Sequence, residues 1–273
     1  MLMTTDSQTQ HAPRGAHRIA IANQKGGVGK TTTAINLATG LAALERRVLV
    51  VDLDPQGNAS TGLGIPTRKR THTAYDVLMG AVTVDQAAMS TEVPGLYLVP
   101  SDINLTGAEL ELVDKPDRAF RLRDRLAGIT EFYDELLIDC PPSLGILTLN
   151  AMAAVDALLI PLQCEFFALE GLSQLMRTVE RVRANFNPNL EIKGVLLTMY
   201  DQRNKLSAEV AADVRAHFGS KVYDTVIPRN VRVSEAPSHG KPVLLYDHRS
   251  SGALAYMQLV KEIRQREAEV PAA

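Results

Sequence analysis

Tryptophan is absent from the 273 residues, and cysteine occurs only twice, at Cys140 and Cys164. Two cysteines that lie far apart, in or beside apolar stretches, do not form a disulfide framework, and this fits a reducing compartment. No apolar run approaches the roughly 20 residues that span a bilayer. The polar start of the chain also lacks the apolar core of a signal peptide. We therefore expect a cytoplasmic protein.

Excess positive charge is lacking as well. Lys and Arg number 29 against 31 Asp and Glu, which gives a net charge of −2. A dedicated nucleic-acid binder usually carries a basic excess, so the bulk charge argues against DNA binding. A local basic patch stays open, because the field at a surface depends on how the charges are arranged.

The chain does contain an alternation of short apolar runs and helical segments. Runs typical of buried parallel strands lie at 18–22, 47–52, 96–100, 135–139, 157–162, 195–199 and 225–227. Segments with helical spacing of apolar residues lie at 32–44, 118–127, 169–186 and 207–218. This alternation predicts an α/β fold with a mostly parallel, twisted sheet covered by helices on both faces.

The strongest motif is a glycine-rich loop between the first strand and the first helix. Its sequence is Gln24-Lys25-Gly26-Gly27-Val28-Gly29-Lys30-Thr31-Thr32. Such glycines bring backbone N–H groups close to phosphate oxygens, and the following helix points its positive dipole end at the same anion. Lys30 would reach the β- and γ-phosphates, and the Thr31 hydroxyl would coordinate Mg²⁺. Gln24 stands where the general P-loop pattern has its first glycine. The motif predicts a P-loop NTPase whose cofactors are ATP and Mg²⁺.

This loop resembles the deviant P-loop of the ParA/MinD class of ATPases. Five further segments, in the same order, look like the chromosomal ParA (Soj-type) partition ATPases. They lie at 52–59, 138–143, 163–171, 227–232 and 234–242. The resemblance therefore covers nearly the whole chain. We expect one P-loop ATPase domain at 18–266, with disordered tails at 1–17 and 267–273.

The resemblance implies roles for the loop residues. Lys25 matches the signature lysine, which crosses a nucleotide-sandwich dimer to phosphates held by the other subunit and acts like an arginine finger supplied in trans. The implied catalytic residues are Lys25, Lys30 and Asp54. The implied nucleotide-binding residues are Lys25, Gly26, Gly27, Val28, Gly29, Lys30, Thr31, Thr32, Pro228 and Asn230.

Aspartates close two of the predicted strands. By resemblance, Asp54 positions or activates the attacking water, and Asp139 matches the Walker B acid that supports Mg²⁺. The predicted metal site therefore comprises Thr31, Asp54 and Asp139, and Asp52 faces the same side of its strand as a supporting residue. Without the resemblance, Asp54 would be interpreted as a turn residue before Pro55.

The resemblance also implies partners. Arg203 and Arg232 match arginines that contact DNA nonspecifically, with Lys205, Arg229 and Lys241 as helpers. The implied partners are a second copy of the chain on ATP binding, nonspecific double-stranded DNA of the nucleoid, and a ParB-type centromere-binding protein that stimulates hydrolysis. About 17 residues precede the first strand, so we expect no helix-turn-helix extension.

Other classes share the nucleotide motifs. A MinD-like, membrane-associated positioning ATPase would end in an amphipathic helix, whereas 261–273 holds one Ile, one Val and three acids, so no membrane partner is expected. A metabolic P-loop enzyme, such as a dethiobiotin synthetase, would need substrate-binding residues that we do not find. The paired cysteines of the nitrogenase iron protein have no full counterpart, so Cys140 and Cys164 are interpreted as small buried hydrophobes.

Overall fold

The computed structural model describes residues 16–269, without the side chain of Thr130. Within this range one sheet is formed by β1 (His17–Ile21), β2 (Val48–Asp52), β3 (Met89–Ser90), β4 (Leu96–Val99), β5 (Glu135–Asp139), β6 (Ala157–Gln163) and β7 (Glu191–Thr198). The order across the sheet is β3-β4-β2-β5-β1-β6-β7. Every neighbouring pair is parallel except β3 with β4.

Helices connect the strands and cover the sheet. They are α1 (Lys30–Ala42), α2 (Asn58–Gly62), α3 (Ala74–Met79), α4 (Val84–Ala87), α5 (Leu105–Glu111), α6 (Arg121–Arg125), α7 (Ile146–Ala154), α8 (Ala168–Asn185), α9 (Lys205–Phe218), α10 (Val231–Glu235), α11 (Val243–Tyr246) and α12 (Ser251–Glu269). Short 3-10 turns lie at Thr67–Lys69, Ile129–Glu131, Gly219–Lys221 and Ala236–His239.

The sheet is buried on both faces, as the continuous apolar runs predict. Every residue of β2 is buried, and its side chains alternate between two apolar clusters. Val48 and Val50 pack with α1 and α12 on one face. Leu49 and Val51 pack on the opposite face in the cluster that contains α7 and α8. Strands rich in Val and Leu are typical of a parallel sheet that is covered on both faces. The observed burial confirms the predicted fold class.

Two strand assignments differ from the sequence prediction. The segment 225–227, predicted as a strand, forms only isolated contacts beside β7: the Ile227 N–H donates to the Leu197 carbonyl at 2.8 Å, and Tyr200 pairs with Pro228. No eighth strand is therefore assigned in the described part of the chain. The two residues of β3, paired antiparallel with β4, were not predicted, because a two-residue strand has no period to detect.

The predicted tail boundaries also shift. β1 already includes His17, and α12 continues to Glu269. Glu267 is held there by ion pairs with Lys193 and His17, which extend the folded part past the predicted end at 266. The remaining parts of the predicted tails, 1–15 and 270–273, lie outside the described residues. Between residues 16 and 269, no helix combines the length and the apolar content needed to cross a membrane.

Candidate functional site

Three chain segments meet at the carboxyl edge of the central strands. β5 lies between β2 and β1, with Asp139 directly beside Asp52 on one side and Ile21 on the other. The glycine-rich loop follows β1, and Asp54 follows β2. Because parallel strands present their carboxyl ends at one edge of a sheet, the loop and the aspartates are brought together there.

The glycine-rich loop adopts a backbone that favours glycine. Gly27 and Gly29 have φ angles of +75° and +88°, in the left-handed region. Gly29 precedes the 13-residue helix α1, and no side chain within residues 16–269 caps the N-terminus of this helix. The first-turn N–H groups therefore remain available for an anion, which the helix dipole also favours.

Two buried polar side chains fix the loop to the sheet. Asn23 donates through Nδ2 to the Pro161 carbonyl at 2.8 Å and accepts the Lys25 N–H at 3.0 Å. Thr198, at the end of β7, donates its hydroxyl to the Val28 carbonyl at 2.8 Å. Neither residue was predicted from the sequence to take part in the site. A polar residue at the end of an apolar strand was the available signal, and it is weak.

Lys30 lies inside the loop. The residue is only 6% exposed, and its Nζ donates to the Lys25 carbonyl at 3.0 Å. Burial lowers the pKa of Lys30 from its ordinary value, while Asp139, Cys140 and Asp54 act in the opposite direction. An anion that replaces this carbonyl would form a stronger hydrogen bond with the enclosed ammonium, because a charged acceptor strengthens the bond.

Lys25 is held differently. It forms an ion pair with Glu165, which follows β6. The two side chains are 40% and 44% exposed, and an ion pair at this exposure contributes roughly 0–1 kcal/mol. Lys25 can therefore change partner at little cost. Glu165 lies within the segment 163–171, which resembles the partition ATPases, but no role was predicted for it from the sequence.

Asp139 is a buried carboxylate at the end of β5. It is fully buried, and neither of its side-chain oxygens has a hydrogen-bond partner among the residues that the structure describes. Burial raises its pKa well above the ordinary value, and the charge of Asp52 adds to the effect. The nearby Thr31 hydroxyl opposes this shift without reaching hydrogen-bond geometry. Unpaired buried carboxylate oxygens beside a hydroxyl are oxygen ligands suited to a hard cation, so these residues fit Mg²⁺.

Asp52, by contrast, is fully satisfied by the protein. It accepts the Ser60 N–H at 2.8 Å and the Ser60 hydroxyl at 2.7 Å on Oδ2, and the Asp54 N–H at 3.2 Å on Oδ1. Burial nevertheless raises the pKa of Asp52 to about 6. These contacts fit the supporting role predicted for Asp52, because they fix the backbone on either side of the turn that starts at Asp54.

Asp54 begins that turn. It is 7% exposed, and its Oδ1 accepts the Gln56 N–H at 3.0 Å. Its carbonyl accepts the Gly57 N–H at 2.9 Å, which closes the turn. The side chain thus has a local structural partner, as a turn aspartate would, and lies at the same edge of the sheet as Asp139.

The predicted adenine contacts have structural partners of their own. Pro228 pairs with Tyr200 beyond the end of β7. Asn230 caps α10 by accepting the Val233 N–H at 3.3 Å, and donates to the Ser251 hydroxyl at 2.8 Å. Their contact with a nucleotide therefore remains a prediction.

The two candidate DNA-binding arginines come shortly after two residues that pair with each other. Arg203 follows Tyr200 in the chain, and Arg232 follows its bridge partner Pro228. Arg203 has a 90% exposed side chain, which makes a two-pronged contact with Asp201 at 3.1 and 3.2 Å. Arg232 is 53% exposed and contacts Glu235 at 2.9 Å and Asp247 at 3.5 Å. Both guanidinium groups are accessible, and each is partly neutralised by carboxylates. The proposed helpers Lys205, Arg229 and Lys241 lie nearby in sequence.

The cysteines do not form a reactive pair. Cys140 and Cys164 are both buried and free. Burial raises the pKa of Cys164 to about 11 and raises that of Cys140 as well. Neutral buried thiols behave as small hydrophobes, which is the interpretation that the sequence favoured.

Known proteins are similar to this chain along most of its length. Residues 16–192 match the family model described as an AAA domain. The chain is similar to the chromosome partitioning protein ParA of Caulobacter vibrioides, with 64% identity over 251 residues, which cover 91% of this chain and 94% of the relative. It is also similar to the sporulation initiation inhibitor protein Soj of Bacillus subtilis, with 54% identity over 90% of this chain and 97% of the relative.

A solved structure extends the similarity to three dimensions. Cobyrinic acid a,c-diamide synthase from Mycobacterium smegmatis, solved with an ATP analogue and magnesium, superposes with a TM-score of 0.82. Its sequence identity is 37%, and the match covers 93% of this chain and 96% of that protein.

Proposed function

The chain belongs to the ParA/Soj family of chromosome-partitioning ATPases, and we propose that it is a switch in which ATP binding closes a DNA-binding dimer and hydrolysis releases it. ATP and Mg²⁺ are its cofactors. The observation that carries the nucleotide part is the pair of unpartnered, fully buried oxygens of Asp139 beside an uncapped helix N-terminus and the enclosed Lys30.

The residues divide the work of phosphoryl transfer. Lys30 exchanges the Lys25 carbonyl for phosphate oxygens, and the first-turn N–H groups of α1 bind the same phosphates. Thr31 and Asp139 hold Mg²⁺, whose charge neutralises the phosphates. Asp54 orients the attacking water. A single carboxylate without a strong base supports slow turnover, since this chemistry depends mainly on positioning and electrostatics.

Dimer formation uses Lys25. The lysine leaves Glu165 and reaches the phosphates bound by the other subunit, which places a second cation at the transferred group. The weak, exposed Lys25–Glu165 pair supports this exchange, because little interaction is lost when it opens. ATP thereby becomes part of the interface between two copies of the chain.

DNA binding uses Arg203 and Arg232. Phosphate contacts from such exposed arginines are independent of sequence and sensitive to salt. A dimer doubles their number, so DNA affinity follows the nucleotide state, and a ParB-type partner ends the cycle by stimulating hydrolysis. Binding to the nucleoid follows from this cycle. A MinD-like membrane role has less support, because the apolar side chains Tyr256, Leu259 and Ile263 of α12 are buried in the core.

The test is binding to random-sequence duplex DNA with ATP, with ADP and without nucleotide, at about 50 and 200 mM salt. We expect wild-type binding only with ATP, and weaker binding at the higher salt. The double variant Arg203→Ala/Arg232→Ala should lose this binding, and each single variant should reduce the salt slope by about 1 per lost phosphate contact.

Arg123→Ala is the matched control. Arg123 is exposed and pairs with the adjacent Asp124 at 3.0 Å, as Arg203 pairs with Asp201, but it lies on α6. The control should bind DNA like the wild type. Equal DNA binding in all three nucleotide states contradicts the proposal that ATP controls DNA binding. Full DNA binding by the double variant contradicts the proposal that Arg203 and Arg232 contact the DNA.

A further inference from the structure

Arg70 makes five polar contacts around the segment that follows Asp54, and no pattern in the sequence suggests them. Its Nε donates to the Ile65 carbonyl at 3.0 Å, and Nη1 donates to the Ser101 carbonyl at 2.7 Å. Nη2 contacts the Gly57 carbonyl at 3.3 Å, the Thr61 hydroxyl at 2.9 Å and the Ile65 carbonyl at 2.9 Å. One planar group thus joins Gly57, Thr61 and Ile65 to Ser101, which lies 31 positions after Arg70 in the chain.

The contact with Gly57 is the one that reaches the turn after Asp54. Gly57 has a φ angle of +62°, and a Cβ there would lie 2.3 Å from Arg70 Nη1 and 2.9 Å from the Ser101 carbonyl. The guanidinium therefore occupies the space that a side chain would need. Gly57 is also the residue that closes the Asp54 turn through its N–H.

The far end of the same segment is fixed as well. The Ser60 hydroxyl donates to Asp52 and accepts the Ser101 N–H at 3.0 Å. Arg70 contacts the carbonyl of the same Ser101. The segment 54–60 is thus held by Asp52 at its base and by Arg70 and Ser101 at its outer side.

We propose that Arg70 is a positioning residue for ATP hydrolysis, which fixes the turn 54–57 and through it the direction of the Asp54 carboxylate. Arg70 acts through Gly57, so it should influence the chemical step and leave nucleotide binding by the P-loop intact. This proposal rests on the role proposed above for Asp54. A planar, five-donor fork is required, because the ammonium of a lysine cannot bond carbonyls in these directions at once.

The test compares Arg70→Lys and Arg70→Gln with the wild type in single-turnover ATP hydrolysis, together with the affinity for a non-hydrolysable ATP analogue. We expect the hydrolysis rate of both variants to fall about 10-fold or more, since misplacing a reacting group by about 1 Å costs up to 100-fold. Analogue affinity should stay within roughly twofold. Arg68→Lys, an exposed arginine on the preceding 3-10 turn, should match the wild type in both measurements.

Other outcomes overturn the proposal. A rate for Arg70→Lys within about twofold of the wild type shows that the fork is not needed. Parallel loss of rate, analogue affinity and melting temperature assigns Arg70 a role in folding alone. Asp54→Ala, measured alongside, must itself lose hydrolysis and keep the analogue. Because these readouts need neither DNA nor a partner protein, a failure of the DNA-binding switch is seen separately.

Discussion

The two lysines of the loop show how burial divides roles between residues of one type. Lys30 is enclosed and contacts a carbonyl that an anion can replace. Lys25 is half exposed and held by an equally exposed acid. The buried ammonium of Lys30 is suited to binding phosphate in the ground state. The ammonium of Lys25, held only in a weak surface ion pair, is suited to leave that pair and contact phosphate in another subunit.

Lys25→Gln should therefore separate dimer formation from nucleotide binding. We expect the variant to bind a non-hydrolysable ATP analogue within roughly twofold of the wild type and to remain a monomer of 29.7 kDa, where the wild type doubles in mass. Light scattering with and without the analogue measures this. Lys30→Gln should lose the analogue altogether, and Lys69→Gln, an exposed lysine elsewhere, should behave as wild type. A Lys25→Gln protein that still doubles in mass contradicts the trans role.

Among single residues, those that belong to a short continuous motif or end an apolar run can be predicted from the sequence. Lys30 and Thr31 belong to one local motif, and Asp139 ends an apolar run. Asn23 and Thr198 were missed because their partners lie 138 and 170 positions away. Arg70 was missed for a related reason: its acceptors are mostly backbone carbonyls, which every residue has.

Among the elements, the packing of α1 against α12 depends on a small residue. A Cβ at Gly40 would lie 2.6 Å from Cγ2 of Val260 and 3.4 Å from Sδ of Met257. Glycine inside a helix costs about 0.5–1 kcal/mol relative to alanine, so its presence here is explained by the close approach of the two helices. The helix that begins at the P-loop is thus fixed in place by the C-terminal helix.

Gly40→Ala should lower the free energy of unfolding by about 1 kcal/mol, because overpacking by roughly 1–3 kcal/mol exceeds the gain in helix propensity. Urea denaturation of the nucleotide-free protein measures this. Adding Val260→Ala should relieve the clash, so that the two changes together cost at least about 0.5 kcal/mol less than their sum. Gly107→Ala in α5 is the control, since its Cβ would meet only the flexible end of Glu111. Additive changes at positions 40 and 260 would show that the clash is not what destabilises the variant.

The elements that the sequence predicts well are those with a long period or a continuous apolar run. β2, β5 and β6 and the helices α1, α8 and α9 begin and end within a few residues of their predicted positions. The segment 225–227 has strand-like composition, but it lies beside the edge strand β7, and the isolated bridges there involve the flanking residues Val222 and Pro228. Whether such a run forms a strand depends on which strand lies next to it in the folded protein, and local β-propensity does not determine this.

In the molecule as a whole, a cluster of charged residues lies at the amino-terminal ends of the strands, opposite the nucleotide site, and connects the sheet to α12. His17 at the start of β1 contacts Glu267 of α12 at 3.4 Å, and Lys193 of β7 pairs with the same carboxylate. Arg264 contacts it at 2.8 Å. Burial alone would raise the pKa of Glu267, but the hydrogen bond with His17 and the charge of Lys193 outweigh it and lower the pKa to about 2. The contact with Glu267 in turn raises the pKa of His17.

These shifts predict how stability depends on pH. An ordinary glutamate has a pKa of about 4.3, so the contribution of Glu267 is present above that value and is lost as the pH falls towards about 2. The contribution of His17 has the opposite sign: it is present below about 6.5 and is lost as the pH rises through the raised pKa of the folded state. Both contributions coexist between about pH 4.5 and 6.5.

Glu267→Gln should therefore lower the free energy of unfolding by about 2 kcal/mol near pH 6, because Lys193 and Arg264 lose the charge of their partner in a half-buried site. The difference from the wild type should shrink as the pH falls below about 4.3, since the unfolded wild-type chain then binds a proton at Glu267 that the folded state, with its pKa of about 2, does not yet bind. Urea denaturation across this range measures both effects. Glu269→Gln, two residues further along α12, removes an exposed acid whose only described hydrogen bond is with Gln265, and it should leave the curve unchanged. A constant difference between Glu267→Gln and the wild type at every pH would mean that the variant is destabilised by packing, and that the charge of Glu267 does not join the C-terminal helix to the sheet.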